Sequence, residues 1–278
     1  MQIDQGARMT GSGMTTEPSQ EQYDAAVRAL FHLARGNLFG EDVPPALRAV
    51  GDAGFATGLR LQLGVLAAWE AAGERLGGWK IGLTSRGARD GMGEGVRPHG
   101  FLLESRILAS GARVAEEVPN LKLEPEVGVV LGKDLAGPDV TVQEARDAVE
   151  AVVPALEVNS GRLVKGMSVA VRLGNSLNSW GIVVGEPVDP ASVDLAALSG
   201  EIGSEEGVLG TGETSPATLD DPYLSLTRVC RSLALNGRGL KAGQHLITGS
   251  ITAPVPVAGA HNYYADFGAL GRVELEVP

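Results

Sequence analysis

The stretch "LKLEPEVGVVLGKDL" (residues 121–135) has the apolar density of a buried β-strand, yet it carries Glu124 and Glu126. Side chains alternate across a strand, so residues two apart share a face. Leu123, Pro125 and Val127 are therefore expected to point one way and both glutamates the other. Such a pair has a structural reading, as partners of surface Lys or Arg, and a ligand-binding one. A third acid shifts the balance. "VVPALEVNSGR" places Glu157 in another strongly apolar strand, after a helix that can return the chain to the same sheet. Carboxylates are rarely buried alone, and three that converge repel one another. A divalent cation resolves both problems. An oxygen-only shell suits Mg²⁺ or Mn²⁺, and the absence of Cys or His nearby argues against zinc.

The bulk properties limit the partners. A formal net charge of −11 argues against nucleic acid or an anionic membrane surface. Aromatic residues are only 4%, too few for a base-stacking platform. No run of 18 apolar residues occurs, so no membrane span is expected. Cys230 is the single cysteine, which excludes an intrachain disulfide and a cysteine zinc cluster. It lies in a helical pattern and reads as a small buried hydrophobe. The start of the chain has no basic segment followed by an apolar one, and a cytoplasmic location is expected.

Along the chain, residues 1–18 read as a disordered tail rich in Gly, Ser and Thr. Residues 19–76 read as a helical segment. Tyr23, Val27, Leu30, Phe31 and Ala34 form a stripe that ends at Gly36, and a well-buried helix runs from about Phe55 to Ala72. Residues 77–278 read as mostly strands, forming one compact unit with the helices. "FLLESRIL" has strand alternation, "TVQEARDAVEAV" predicts a helix capped by Thr141, and "LSGEIGSEEGVLGTG" predicts a hairpin. "DDPYLSLTRVCRSLALNG" predicts a helix. The pattern is α+β, without regular βαβ alternation.

Four segments in order, "ERLGGWKIGLTS", "LEPEVGVVLGKDL", "VVPALEVNSGR" and "HLITGSITAPVPVAGA…ADFGALG", resemble the fumarylacetoacetate hydrolase superfamily. Within it they are most similar to the branch of 2-keto-4-pentenoate hydratases and 4-oxalocrotonate decarboxylases. The likeness runs from about Gly54 to the C-terminus. It implies a fumarylacetoacetase C-terminal-like β-rich roll of mixed sheets with a helical N-terminal segment. It also implies Mg²⁺ or Mn²⁺ on Glu124, Glu126 and Glu157, and Lys80 as the catalytic residue. Gln62, Leu83, His99, Thr248 and Ser250 become substrate-binding candidates, with Gly249 in the same turn.

The implied substrate is a short 2-oxo or 2-hydroxy-dienoic acid. The implied reaction is hydration, with decarboxylation as the sister chemistry and a non-catalytic or altered member as a third possibility. Decarboxylation of a diacid needs a distal cation, for which Arg86, Arg97 and His99 are candidates. Homo-oligomers are usual in the family, and association with a sister enzyme occurs. Arg162, near Glu157, is a candidate to orient that carboxylate. The chain also departs from the pattern. His99 stands in "RPHGFLLES" where an acid is expected, Asn175 or Asn178 replaces an Asp-Asn pair, and Trp180 is bulkier than the usual residue.

Overall fold

The structure is a computed structural model and describes residues 17–38, 42–114, 117–163, 167–258 and 262–277. The tail expected over residues 1–18 lies, up to residue 16, outside the described residues. Helices α1 (Gln20–Arg35), α2 (Pro45–Arg48) and α3 (Phe55–Ala71) come first. Strands β1 (Leu76–Ile81), β2 (His99–Leu103), β3 (Ile107–Ala109), β4 (Ala112–Arg113), β5 (Lys122–Leu131) and β6 (Leu135–Ala136) follow. Then come α4 (Val142–Ala148), β7 (Val149–Asn159), α5 (Val169–Gly174), β8 (Ser179–Val184), β9 (Ser199–Ser204) and β10 (Gly207–Glu213). Helix α6 (Pro222–Ala234) precedes β11 (Gly239–Leu240), β12 (His245–Ser250), β13 (Val255–Pro256), β14 (Asn262–Asp266) and β15 (Arg272–Glu276).

Local chemistry explains most boundaries. Ser19 caps α1 and Thr141 caps α4, each in a reciprocal box with Gln22 or Glu144. Asp221 caps α6, with Pro222 in the first turn. Two expectations needed correction. The helix expected over residues 141–152 stops at Ala148, because the β-branched run from Val149 pairs with β5 instead. The single strand expected in "FLLESRIL" is two, broken by a 3₁₀ turn over Glu104–Arg106.

That break closes the main sheet. Its order is β2-β1-β12-β5-β7-β8-β3, with β13 also on β5. The two ends of the order, β2 and β3, are joined by the three residues of the turn, and β2 packs against β8. The sheet therefore curls into a roll with an inner and an outer face. Register assigns the faces. Lys80 lies opposite Gly100 and Ile247, Ile247 opposite Gly128, and Glu124 opposite Glu157, itself opposite Ile182. These residues share the inner face, where Leu102, Ala155, Ile182 and Ile247 form a small apolar plug.

The outer face carries Trp79, Ile81, Phe101, Leu123, Val127, Leu156 and Val158. It joins the large core shared with α1, α3, α6 and the second sheet, whose order is β10-β9-β14-β15-β4. Cys230 is fully buried in this core, and burial pushes its thiol up to about 11.

Strand β1 approaches β12 closely because Gly78 has no side chain. A Cβ there would lie 2.0 Å from the His245 carbonyl oxygen. Gly78→Ala is expected to destabilise the protein by about 1–3 kcal/mol through overpacking, read as a lower urea midpoint. Gly54 is the contrasting case. It begins α3 with extended backbone, no side-chain cap and open space around its Cα. Gly54→Ser is expected to raise the same midpoint, by a few tenths of a kcal/mol.

Candidate active site

The inner face of the roll gathers the acids. Glu124 and Glu157 are direct cross-strand partners on β5 and β7, and Glu126 lies opposite Ser250 of β12. One carboxylate oxygen from each of the three lies within 4.8 Å of the others. Glu126 and Glu157 are buried, and Glu124 is half-buried. Lys80 reaches across from β1 and sets its Nζ 2.5 Å from Glu157 Oε1. Strands β12 and β5 stand between β1 and β7, so this contact depends on the curl of the sheet.

Each acid is held by a different neighbour. The Gly249 N–H donates to Glu126 Oε2 at 2.6 Å. Gly249 has φ +112°, and a Cβ there would meet Thr84 Oγ1 at 1.8 Å, so only glycine fits. Asn159 Nδ2 donates to Glu124 Oε1 at 2.9 Å. No donor among the described residues bonds Glu157 Oε2. Asn159 was missing from the sequence reading, yet strand alternation flags it. It stands two residues beyond Glu157, on the same face.

Electrostatics follow from crowding. Burial, then the Glu157 charge, pushes Glu124 up to about 7. Burial, then Glu157 and Glu124, holds Glu126 well above the carboxylate range. Burial draws the Lys80 ammonium down, but Glu157, Glu124 and Glu126 outweigh it and hold it above its usual value. Three acids against one ammonium leave a surplus of negative charge and an undonated oxygen. That donor set, hard oxygens on rigid strands, fits a divalent cation.

The other candidates are distributed unevenly. Ser250 is beside Glu126 in register. Leu83 follows β1 in the left-handed region, φ +58°, and ends the Lys80 strand in a tight turn. Thr248 donates its hydroxyl to the Val127 carbonyl at 2.9 Å, which ties the "ITGS" bulge to β5. Gln62 is wholly buried and its amide donates to the carbonyls of His99 and Leu173, at 2.6 and 2.9 Å. It clamps α3 to β2 and α5.

His99 is not brought to the acids. It pairs with Ile81 on the outer face, edge-on to Trp79 at 5.3 Å, and burial lowers its pKa to about 4. Arg97 is also committed elsewhere. It joins Arg89 and Arg228 around Asp220, with a further bond to Asp90. Arg162 hydrogen-bonds Asn175, not Glu157, contrary to expectation. Arg86 is exposed.

Comparison with known proteins points the same way. No family model matches the chain. It is 29% identical over 221 residues to 2-hydroxyhexa-2,4-dienoate hydratase of Comamonas testosteroni, covering 78% of this chain and 83% of that protein. It is 29% identical over 245 residues to 4-oxalocrotonate decarboxylase of Pseudomonas sp. (strain CF600), covering 87% of this chain and 92% of that one. A solved structure of 4-oxalocrotonate decarboxylase from Pseudomonas putida G7, complexed with magnesium and adipate, superposes with a TM-score of 0.86 at 25% identity. The match covers 94% of this chain and 99% of that one. In its closed roll and along most of its length, the chain is similar to the 2-keto-4-pentenoate hydratase and 4-oxalocrotonate decarboxylase branch of the fumarylacetoacetate hydrolase superfamily.

Proposed function

We propose that this protein is a divalent-metal-dependent lyase that hydrates a short 2-hydroxy-2,4-dienoate to a 4-hydroxy-2-oxo acid. The observation that carries this reading is the convergence of Glu124, Glu126 and Glu157 around the Lys80 ammonium inside the roll. The three carboxylates are the residues that would hold the cation. When bound, Mg²⁺ or Mn²⁺ supplies Lewis acidity toward the carboxylate and 2-oxygen of such an acid. The Gly249 N–H and the Asn159 amide keep Glu126 and Glu124 aimed inward.

The reaction first ketonises the dienol. The 2-hydroxyl O–H bond breaks, a C–H bond forms at C5, and the remaining double bond is conjugated to the 2-oxo group. Water then adds, OH to C4 and H to C3. Lys80 retains its proton among the acids, so its Nζ acts as a donor to substrate oxygen or as the acid that returns a proton. The plug of Leu102, Ala155, Ile182 and Ile247 floors the site and keeps water from entering beneath it.

Decarboxylation is the second reading, favoured by the match along almost the whole of a decarboxylase. Arg89, Arg97 and Arg228 share two carboxylates, Asp220 and Asp90, and this excess of cations close to the site supports it. The Asp220 N–H bonds the Thr84 carbonyl, and Thr84 abuts Gly249. Assembly into homo-oligomers, association with a sister enzyme and a cytoplasmic location belong to the same proposal. They rest on family likeness.

Purified protein with Mg²⁺ is expected to bleach the ultraviolet band of 2-hydroxypenta-2,4-dienoate, and EDTA to stop it. Failure with every short dienoate, alongside CO₂ release from 4-oxalocrotonate, would select the decarboxylase. Lys80→Met is expected to lower kcat by about 10²–10⁴-fold, and Glu157→Ala to remove turnover, with the circular dichroism of the native fold retained. A pH dependence follows as well. Glu124 and Glu126 take up protons on folding, so metal-free protein binds more protons folded than unfolded between pH 4.5 and about 7. Its melting temperature in EDTA is therefore expected to fall as pH rises through that window. Mg²⁺ competes with those protons, so its affinity by calorimetry is expected to rise over the same range.

A further inference from the structure

A second charged site lies on the other side of the sheet. A cavity of about 10 Å³ sits between α1, α3 and the outer face of the roll, lined by Trp69, Leu103, Arg106, Arg162, Ser179 and Trp180. Arg162 is only 2% exposed. Its Nη1 donates to Asn175 Oδ1 at 3.2 Å, while Nε and Nη2 have no hydrogen-bond partner among the described residues. Asn175 is neutral, and no carboxylate among the described residues pairs with Arg162. The Arg106 guanidinium lies over the Trp69 and Trp180 rings at 5.1 and 4.9 Å, adding positive charge to the same lining. Trp180 Nε1 and Ser179 Oγ are further buried groups with no partner among the described residues.

We infer that this cavity is a monatomic-anion site, taking chloride, with Arg162 as its principal donor. The lining offers mainly N–H and O–H donors, which suits an anion and leaves the hydrogens of a water with few acceptors. The volume is about that of one water-sized body, too small for sulfate or a carboxylic acid. A buried guanidinium without a counter-charge is costly, and a halide supplies the missing charge. Burial, then Arg106, pulls the Arg162 pKa down to about 9, as expected of a cation short of negative neighbours.

The site has a structural consequence. Asn175, held by Arg162, also bonds Asn178, and Ser176, Leu177 and Asn178 all have left-handed backbone. That strained turn leans on Gly100, where a Cβ would lie 2.7 Å from the Ser176 carbonyl oxygen and 3.1 Å from Lys80 Cγ. Anion binding therefore steadies a turn that packs on Gly100, whose other close neighbour is the stem of Lys80.

Two measurements test this on the full chain. Chloride in place of gluconate at equal ionic strength is expected to raise the melting temperature by about 2–4 °C. Arg162→Met is expected to abolish that response. Trp180→Phe, which keeps a ring but removes one donor, is expected to raise the chloride concentration needed by about tenfold, and it decides the matter if Arg162→Met does not fold. A crystal soaked in bromide is expected to show an anomalous peak beside Arg162. Equal melting temperatures in the two salts, a chloride response unchanged in Trp180→Phe, or no bromide peak there would each overturn the proposal.

Discussion

Mutual repulsion among three clustered carboxylates, two buried and one half-buried, is the constraint around which this structure is organised. Glu124 and Glu157 face each other across two central strands, and Glu126 stands beside them. Such a cluster is tolerable only with positive charge nearby. The chain supplies part of it as Lys80, from β1, two places from β5 and three from β7 in the sheet. A flat sheet would put that ammonium out of reach. The curl that brings it home is the same curl that closes the roll through the short turn at Glu104–Arg106. Fold closure and charge compensation are therefore one geometric fact.

The two faces of the sheet divide the work. The outer face is apolar and joins helices and second sheet in one core. The inner face has only a small apolar plug and spends the rest of its area on charge. Rigidity comes from outside and the charged cluster sits inside, so the three carboxylates rest on strands rather than on loops. Gln62 and Thr248 serve this division. Their polar groups pin α3 to β2 and the β12 bulge to β5.

Much of the site was readable before any coordinates. Period-two alternation separates Glu124 and Glu126 from Leu123, Pro125 and Val127, and the register agrees. The same rule would have found Asn159. It would not have found His99 correctly, because its face depends on pairing with Ile81 across a long intervening segment. Arg97 looked available as a distal cation, but its partner Asp220 is 123 residues away. Arg162 lies five residues beyond Glu157 in sequence, yet the chain turns away after β7 and delivers it to the opposite side of the sheet.

The amino-acid sequence by itself determined the local elements, the caps at Ser19, Thr141 and Asp221, and which acids share a strand face, because these depend on neighbours within a few residues. The tertiary structure alone decided that Lys80 meets Glu157, that one sheet edge returns to the other, and that Arg162 is buried with no carboxylate partner among the described residues. Those outcomes depend on curvature and long-range register, which no short stretch of chain encodes.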